Sequence, residues 1–147
     1  MFIRAMRLAD VDRIHCIAEH QFAQCWSKPQ FAAEITHPHA CHWVAEDEVG
    51  VWAYICVRVF GAEAEILSLA THPDRARRGL AKQLLDHALS AACAAGCRQV
   101  YLEVRASNLP AQNLYLAAGF ERVTIRKRYY GDNDEDAQVL ARGLANG

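Results

Sequence analysis

The run Ala76-Arg77-Arg78-Gly79-Leu80-Ala81 offers the first chemistry in this sequence, a turn suited to phosphate. It follows a Pro73-Asp74 turn and opens a long amphipathic segment. The N–H groups at the start of a helix have no partners within it. Those donors, the positive end of the helix dipole, and the side chains of Arg77 and Arg78 suit a pyrophosphate. A solvated first turn is the plainer alternative, but two arginines beside a helix N-terminus are electrostatically unfavourable unless an anion offsets them.

Glu103 is the second candidate. In Val100-Tyr101-Leu102-Glu103-Val104, strand alternation puts Val100, Leu102 and Val104 on one face, with Tyr101, Glu103 and Arg105 on the other. A carboxylate among apolar strand residues is partly desolvated, and its pKa rises towards the range of a general base. An exposed glutamate on a solvated edge fits the spacing equally well. Tyr115 shares an apolar stripe with Ala111, Leu114 and Ala118 and reads first as a core residue. Asn108, just before that helix, reads as its N-cap.

Metal chemistry has weaker support. The six cysteines (16, 25, 41, 56, 93 and 97) include no Cys-x-x-Cys pair, so free thiols in a reducing compartment are expected. His37, His39, Cys41 and His42 form the nearest thing to a ligand cluster, without a second group to complete it. No bound metal is expected.

These residues need elements to hold them. Phe2 to Met6 is a short strand, and Ala9-Asp10 leads into a helix with Val11, Ile14, Ile17 and Ala18 on one face. Ser27 caps a second helix, which Pro38 ends, and Trp26 before it is either a core anchor or the wall of a groove. Cys41 to Glu46 and Val51 to Phe60 form a hairpin around Glu48-Val49-Gly50, followed by a strand from Ala64 to Thr71. The helix after the arginine turn carries Leu80, Leu84, Leu85, Ala88, Leu89 and Ala92 on one stripe and stops at Gly96. Gln99 to Arg105 is a strand, Asn108 to Ala118 a helix stopped by Gly119, and Glu121 to Lys127 and Ala137 to Arg142 are closing strands. The order β-α-α-β-β-β-α-β-α-β-β predicts an α/β chain. Its mixed sheet has hairpins in the first half and one parallel crossover in the second.

The 147 residues suit a single domain. Apolar content of 52%, charged content of 22% and a net charge of −1 argue against disorder and against broad capture of nucleic acid. The basic run from Arg122 to Arg128 has no interleaved aromatics, so it reads as strand alternation more simply than as an RNA-binding face. No apolar run is long enough to span a bilayer, and Met1 to Arg7 is unlike a signal peptide. A cytoplasmic protein with no membrane partner is expected.

The element order, the Arg-Arg-Gly-Leu-Ala turn and three further segments resemble the GNAT acetyltransferase superfamily. Those segments are Leu102-Glu-Val-Arg-Ala-Ser-Asn108, Leu114-Tyr115 with Gly119-Phe120, and Val123 to Tyr130 with Glu135-Asp136-Ala137. Within the superfamily the chain is most similar to the bacterial ribosomal-protein-alanine N-acetyltransferase group. Ala76 departs from the usual Gln or Arg there, and Cys25 stands where proline is commoner.

The resemblance implies one N-acetyltransferase domain over 1–147, with a mostly antiparallel twisted sheet and helices on both faces. It implies acetyl-CoA as co-substrate, no metal, and acetylation of a protein N-terminal α-amine. The first candidate is the N-terminal alanine of the eighteenth small-subunit ribosomal protein. By the same resemblance, Leu69, Ala70 and Thr71 would bond the pantetheine arm, and Arg77, Arg78, Gly79, Leu80, Ala81 and Lys82 the pyrophosphate. Asn108 would lie near the acetyl end, Glu103 would take a proton through water, and Tyr115 would protonate the departing thiolate. Two rivals remain at this point: a small-molecule or lysine acetyltransferase, and a non-catalytic module that senses CoA or binds the ribosome.

Overall fold

The strand Val51–Phe60 organises the molecule, because its apolar side chains alternate between two covered faces. Ala53, Ile55 and Val57 join one hydrophobic cluster; Tyr54 and Cys56 join the other. The computed structural model describes residues 1–144, so the last three positions of the domain expected over 1–147 lie outside the described residues.

The strands are β1 (Phe2–Ala5), β2 (Trp43–Glu46), β3 (Val51–Phe60), β4 (Glu63–Thr71), β5 (Gln99–Arg105), β6 (Glu121–Arg126) and β7 (Ala137–Gly143). The helices are α1 (Val11–Gln21), α2 (Lys28–Ile35), α3 (Leu80–Ala94) and α4 (Leu109–Ala117). A 7-stranded sheet runs β1-β2-β3-β4-β5-β7-β6, and β4 with β5 is its parallel pair. The element order and the mixed, mostly antiparallel sheet match expectation. Helices α3 and α4 pack on one face through Leu84, Leu85 and Tyr115; α1 and α2 pack on the other through Ile14, Ile17 and Phe31.

Two boundaries shift for local reasons. The strand expected from Cys41 starts at Trp43. His42 interrupts the ladder: its Nδ1 accepts the Val57 N–H at 2.8 Å, while its Nε2 lies 3.1 Å from the Glu34 carbonyl. Both ring nitrogens are thereby engaged, so the cluster His37, His39, Cys41 and His42 does not converge on a shared ion. At the other end, β6 stops before Lys127. Arg128 turns left-handed (φ 51°), and its N–H bonds the Asp136 carboxylate at 3.0 Å.

One irregularity matters for function. Cys56 faces Ser68 across the β3–β4 ladder while Val57 faces Ile66, so Leu67 is an extra residue in β4. Such a bulge bends its strand. The pairing of β4 with β5 extends only from Glu63↔Gln99 to Ile66↔Leu102. Beyond it the strands part, and the sheet opens between Leu67–Thr71 and Glu103–Arg105.

Candidate active site

The parted strands frame a cavity of about 350 Å³. Leu67, Ser68 and Leu69 line it from β4, and Leu102 to Arg105 from β5. Phe22, Gln24, Cys25 and Trp26 close it from the α1–α2 connection, and Asn108, Ala111 and Tyr115 from α4. Trp26 stacks edge-on against Phe31 with ring centroids 5.2 Å apart, so it is both an anchored residue and a cavity wall.

Glu103 and Tyr115 reach this space from opposite faces of the sheet. Tyr115 belongs with Leu102 and Val104 in the cluster under α3 and α4, whereas alternation turns Glu103 the other way. Only a gap between strands lets both line one cavity. Glu103 keeps 18% of its side chain exposed, and its Oε1 lies 3.4 Å from Arg126 Nε. Strand alternation alone is compatible with a desolvated carboxylate or a solvated one at this position. The structure instead gives a half-buried carboxylate with a guanidinium partner. Tyr129 joins the group: its phenol is held above the usual range chiefly by hydrogen bonding to Glu103. Glu65, on the neighbouring strand, is also raised, first by burial and then by the negative charge of Glu103.

Tyr115 is buried and packs edge-to-face on Phe120 at 5.5 Å. Burial pushes its phenol well above the ordinary tyrosine value. Its hydroxyl makes no hydrogen bond to any described residue, yet the residue lines the cavity. A buried tyrosine hydroxyl usually finds a partner, so this one is free for a group entering the cavity. Asn108 caps α4 through Oδ1, which accepts the Ala111 N–H at 3.2 Å. Gln112 then fixes the β5–α4 turn by donating to the carbonyls of Arg105 and Ala106 at 3.0 and 2.9 Å.

Sequence reasoning missed the far wall. Arg105 forms two 3.0 Å contacts with Asp132 and one of 3.2 Å with Glu135, and its guanidinium lies 3.9 Å from the Tyr130 ring centre. This clamp holds the β6–β7 connection so that Tyr130 lines the cavity.

The other predicted residues fall in two places. Leu69 lines the cavity; Ala70 is buried against α1 and α2, and the Thr71 carbonyl accepts from Gln21 Nε2 at 3.0 Å. Arg77, Arg78 and Gly79 form an exposed turn after β4, with Arg77 and Gly79 both left-handed (φ 62° and 76°). Left-handed positions in a turn direct successive N–H groups into an anion-binding concavity. Gln83 donates to the Gly79 carbonyl at 3.0 Å, which leaves the N–H groups of Leu80, Ala81 and Lys82 open at the start of α3.

The sequence pattern of the acetyltransferase (GNAT) family matches residues 11–120. The chain belongs to the GNAT acetyltransferase family. It is 34% identical over 139 residues to a putative ribosomal protein bS18-alanine N-acetyltransferase of Bacillus subtilis, covering 94% of this chain and 92% of that one. It is 31% identical over 141 residues to the ribosomal protein bS18-alanine N-acetyltransferase of Escherichia coli, covering 95% of each. The crystal structure of the ribosomal-protein-S18-alanine N-acetyltransferase from Escherichia coli superposes with a TM-score of 0.91 at 30% identity, over 98% of this chain and 94% of that one. The GNAT fold implied by the resemblance is therefore the fold observed. No helix among the described residues of this acetyltransferase is long and apolar enough to cross a membrane.

Proposed function

We propose that this acetyltransferase transfers the acetyl group of acetyl-CoA to the α-amine of the N-terminal alanine of ribosomal protein bS18, in the cytoplasm. The observation that carries the reading is the meeting of a carboxylate and an unpartnered phenol in one cavity, entered from opposite faces of a parted sheet. The names of the relatives supply the substrate. The N-terminal segment of that protein is the partner, and neither a metal nor a specific nucleic acid takes part.

The residues divide the work by position. The turn with left-handed Arg77 and Gly79, together with the first turn of α3 as far as Lys82, holds the pyrophosphate on backbone N–H groups. The edge of β4 at Leu69, Ala70 and Thr71, which β5 leaves uncovered, receives the pantetheine arm, which brings the thioester to the gap in the sheet, with Asn108 beside the acetyl end. A free α-amine has a pKa of about 7.7–8.0, so near neutral pH most of it is protonated and cannot attack. Glu103 accepts that proton through a water molecule. The amine then adds to the thioester carbonyl while a backbone N–H near Leu69 steadies the oxyanion; as the C–S bond breaks, the new amide nitrogen loses its second proton through solvent to the departing sulfur, to which Tyr115 donates a hydrogen bond.

Substrate class is tested by mass spectrometry of peptides incubated with the protein and acetyl-CoA. A peptide with the bS18 N-terminal sequence is expected to gain one acetyl group on its first residue, and the same peptide with a blocked terminus none. Acetylation of an internal lysine in the blocked peptide would refute the assignment.

The turn is tested through Gly79. A Cβ there meets nothing within 4 Å, so Gly79→Ala costs only the left-handed conformation, roughly 1–2 kcal/mol. The turn escapes that strain by leaving its N–H alignment. The expected result is a KM for acetyl-CoA raised by about 5- to 10-fold with kcat nearly unchanged. Steady-state kinetics at saturating peptide reads it, and an unchanged KM would remove the turn from cofactor binding.

A further inference from the structure

Away from the cavity, α1 carries Cys16 and His20 one turn apart on the same face. That face meets His72, the residue between β4 and Pro73. One potential ligand atom from each of Cys16, His20 and His72 lies within 4.8 Å of the others. The two imidazoles meet edge to face with centroids 5.1 Å apart.

The third residue is held in place independently. The His72 N–H donates to the Trp52 carbonyl at 2.8 Å, and its ring stands at 88° to the Trp52 indole. Gln21 bonds the adjacent Thr71 carbonyl, which ties the end of α1 to the end of β4. The side chains of Cys16 and His20 hydrogen-bond none of the described residues, so their donor atoms are not committed elsewhere. His72 Nδ1 accepts the Asp74 N–H at 3.1 Å, which fixes the ring and leaves Nε2 as the nitrogen available to an ion. An ion on Nε2 would move the ring proton to Nδ1, which lies 3.9 Å from the Asp74 carboxylate, the kind of partner that orients a metal-bound histidine.

We propose that Cys16, His20 and His72 form a binding site for a divalent transition metal of the zinc type, with water completing a tetrahedron. One thiolate and two imidazoles match the preference of zinc and exclude magnesium and calcium, which take oxygen ligands. Metal–ligand bonds of 2.0–2.3 Å place tetrahedral donors about 3.3–3.8 Å apart. A movement of about 1 Å therefore closes the set. The ion would staple α1 to the segment that leads into the Arg77–Lys82 turn.

Cobalt(II) is the probe. Titrating the full chain with Co2+ under reducing conditions is expected to saturate at one ion per chain, with thiolate-to-cobalt absorption in the near ultraviolet and intense visible bands of a tetrahedral site. Cys16→Ser should abolish the thiolate band. His20→Gln should weaken binding by more than the roughly tenfold that loss of an outer-shell partner costs. Both variants should keep metal-free acetyl transfer and an unchanged melting curve, since neither residue belongs to the catalytic cavity. Absence of saturable binding, or wild-type affinity and spectrum in both variants, overturns the proposal. Loss of the thiolate band in Cys41→Ser instead of Cys16→Ser would do the same, because it moves the ion to the histidine-rich segment before β2.

Discussion

Glu103→Gln is expected to lower kcat by roughly 10²–10⁴-fold, the range for a positioned proton acceptor. The substitution keeps the shape of the side chain and an oxygen that can still accept from Arg126, 3.4 Å away in the wild type. It removes only the capacity to take a proton. Without a base, turnover depends on the fraction of substrate amine already free, so the residual rate of the variant should climb as pH rises through about 8. Acetyl-CoA binding should be unchanged, because the proposed cradle lies on the turn before α3. Stopped-flow or thiol-release assays across pH 6.5–9.5 would read both effects. If Glu103 served only to anchor Arg126 and Tyr129, the amide would replace it at little cost. A variant within threefold of wild type would thus reassign Glu103 to structure.

Much of this arrangement was legible because the alternation is unbroken where it counts. Val100, Leu102 and Val104 identified the core face of β5, and so set Glu103 on the other face. The Ser27 and Asn108 caps fixed the starts of α2 and α4, and both side chains accept N–H groups in the structure. The glycine of the turn before α3 was visible as a residue type, and the structure shows the left-handed N-cap that it supplies.

What remained hidden was long-range or irregular. The bulge that parts β4 from β5 falls on Leu67, an ordinary strand former with no glycine or proline beside it to announce the insertion. Arg126 meets Glu103 by reaching across β7 from β6, and alternation tells which face a residue occupies but not which strand lies two places away. The same limit concealed Tyr130, which enters the cavity only because Arg105 grips Asp132 and Glu135. It also concealed His72 as the companion of Cys16 and His20: their helical spacing was visible, but the chain returns to them only at the end of β4.

Tyr115→Phe should reduce kcat by about 10²–10³-fold, corresponding to roughly 2.7–4 kcal/mol, the loss found when one preorganised donor is removed from a transition state. The size follows from the environment of the phenol. Burial holds its pKa well above the ordinary tyrosine value of about 10, whereas a thiol ionises near 8.5. Complete proton transfer to a free thiolate would therefore run uphill, and the contribution of Tyr115 is the hydrogen bond it offers as negative charge builds on sulfur. A donor acting in that way must stay protonated. Because burial shifts the phenol upwards, the protonated form persists across the whole range in which the substrate amine titrates. The wild-type rate should consequently rise to a plateau with no descending limb below about pH 10. The phenylalanine variant should show the same profile at lower amplitude, with acetyl-CoA affinity preserved because the ring and its contact with Phe120 remain. A descending limb near pH 9 that disappears in Tyr115→Phe would mean the hydroxyl ionises in the working range, and the buried-donor account would be wrong.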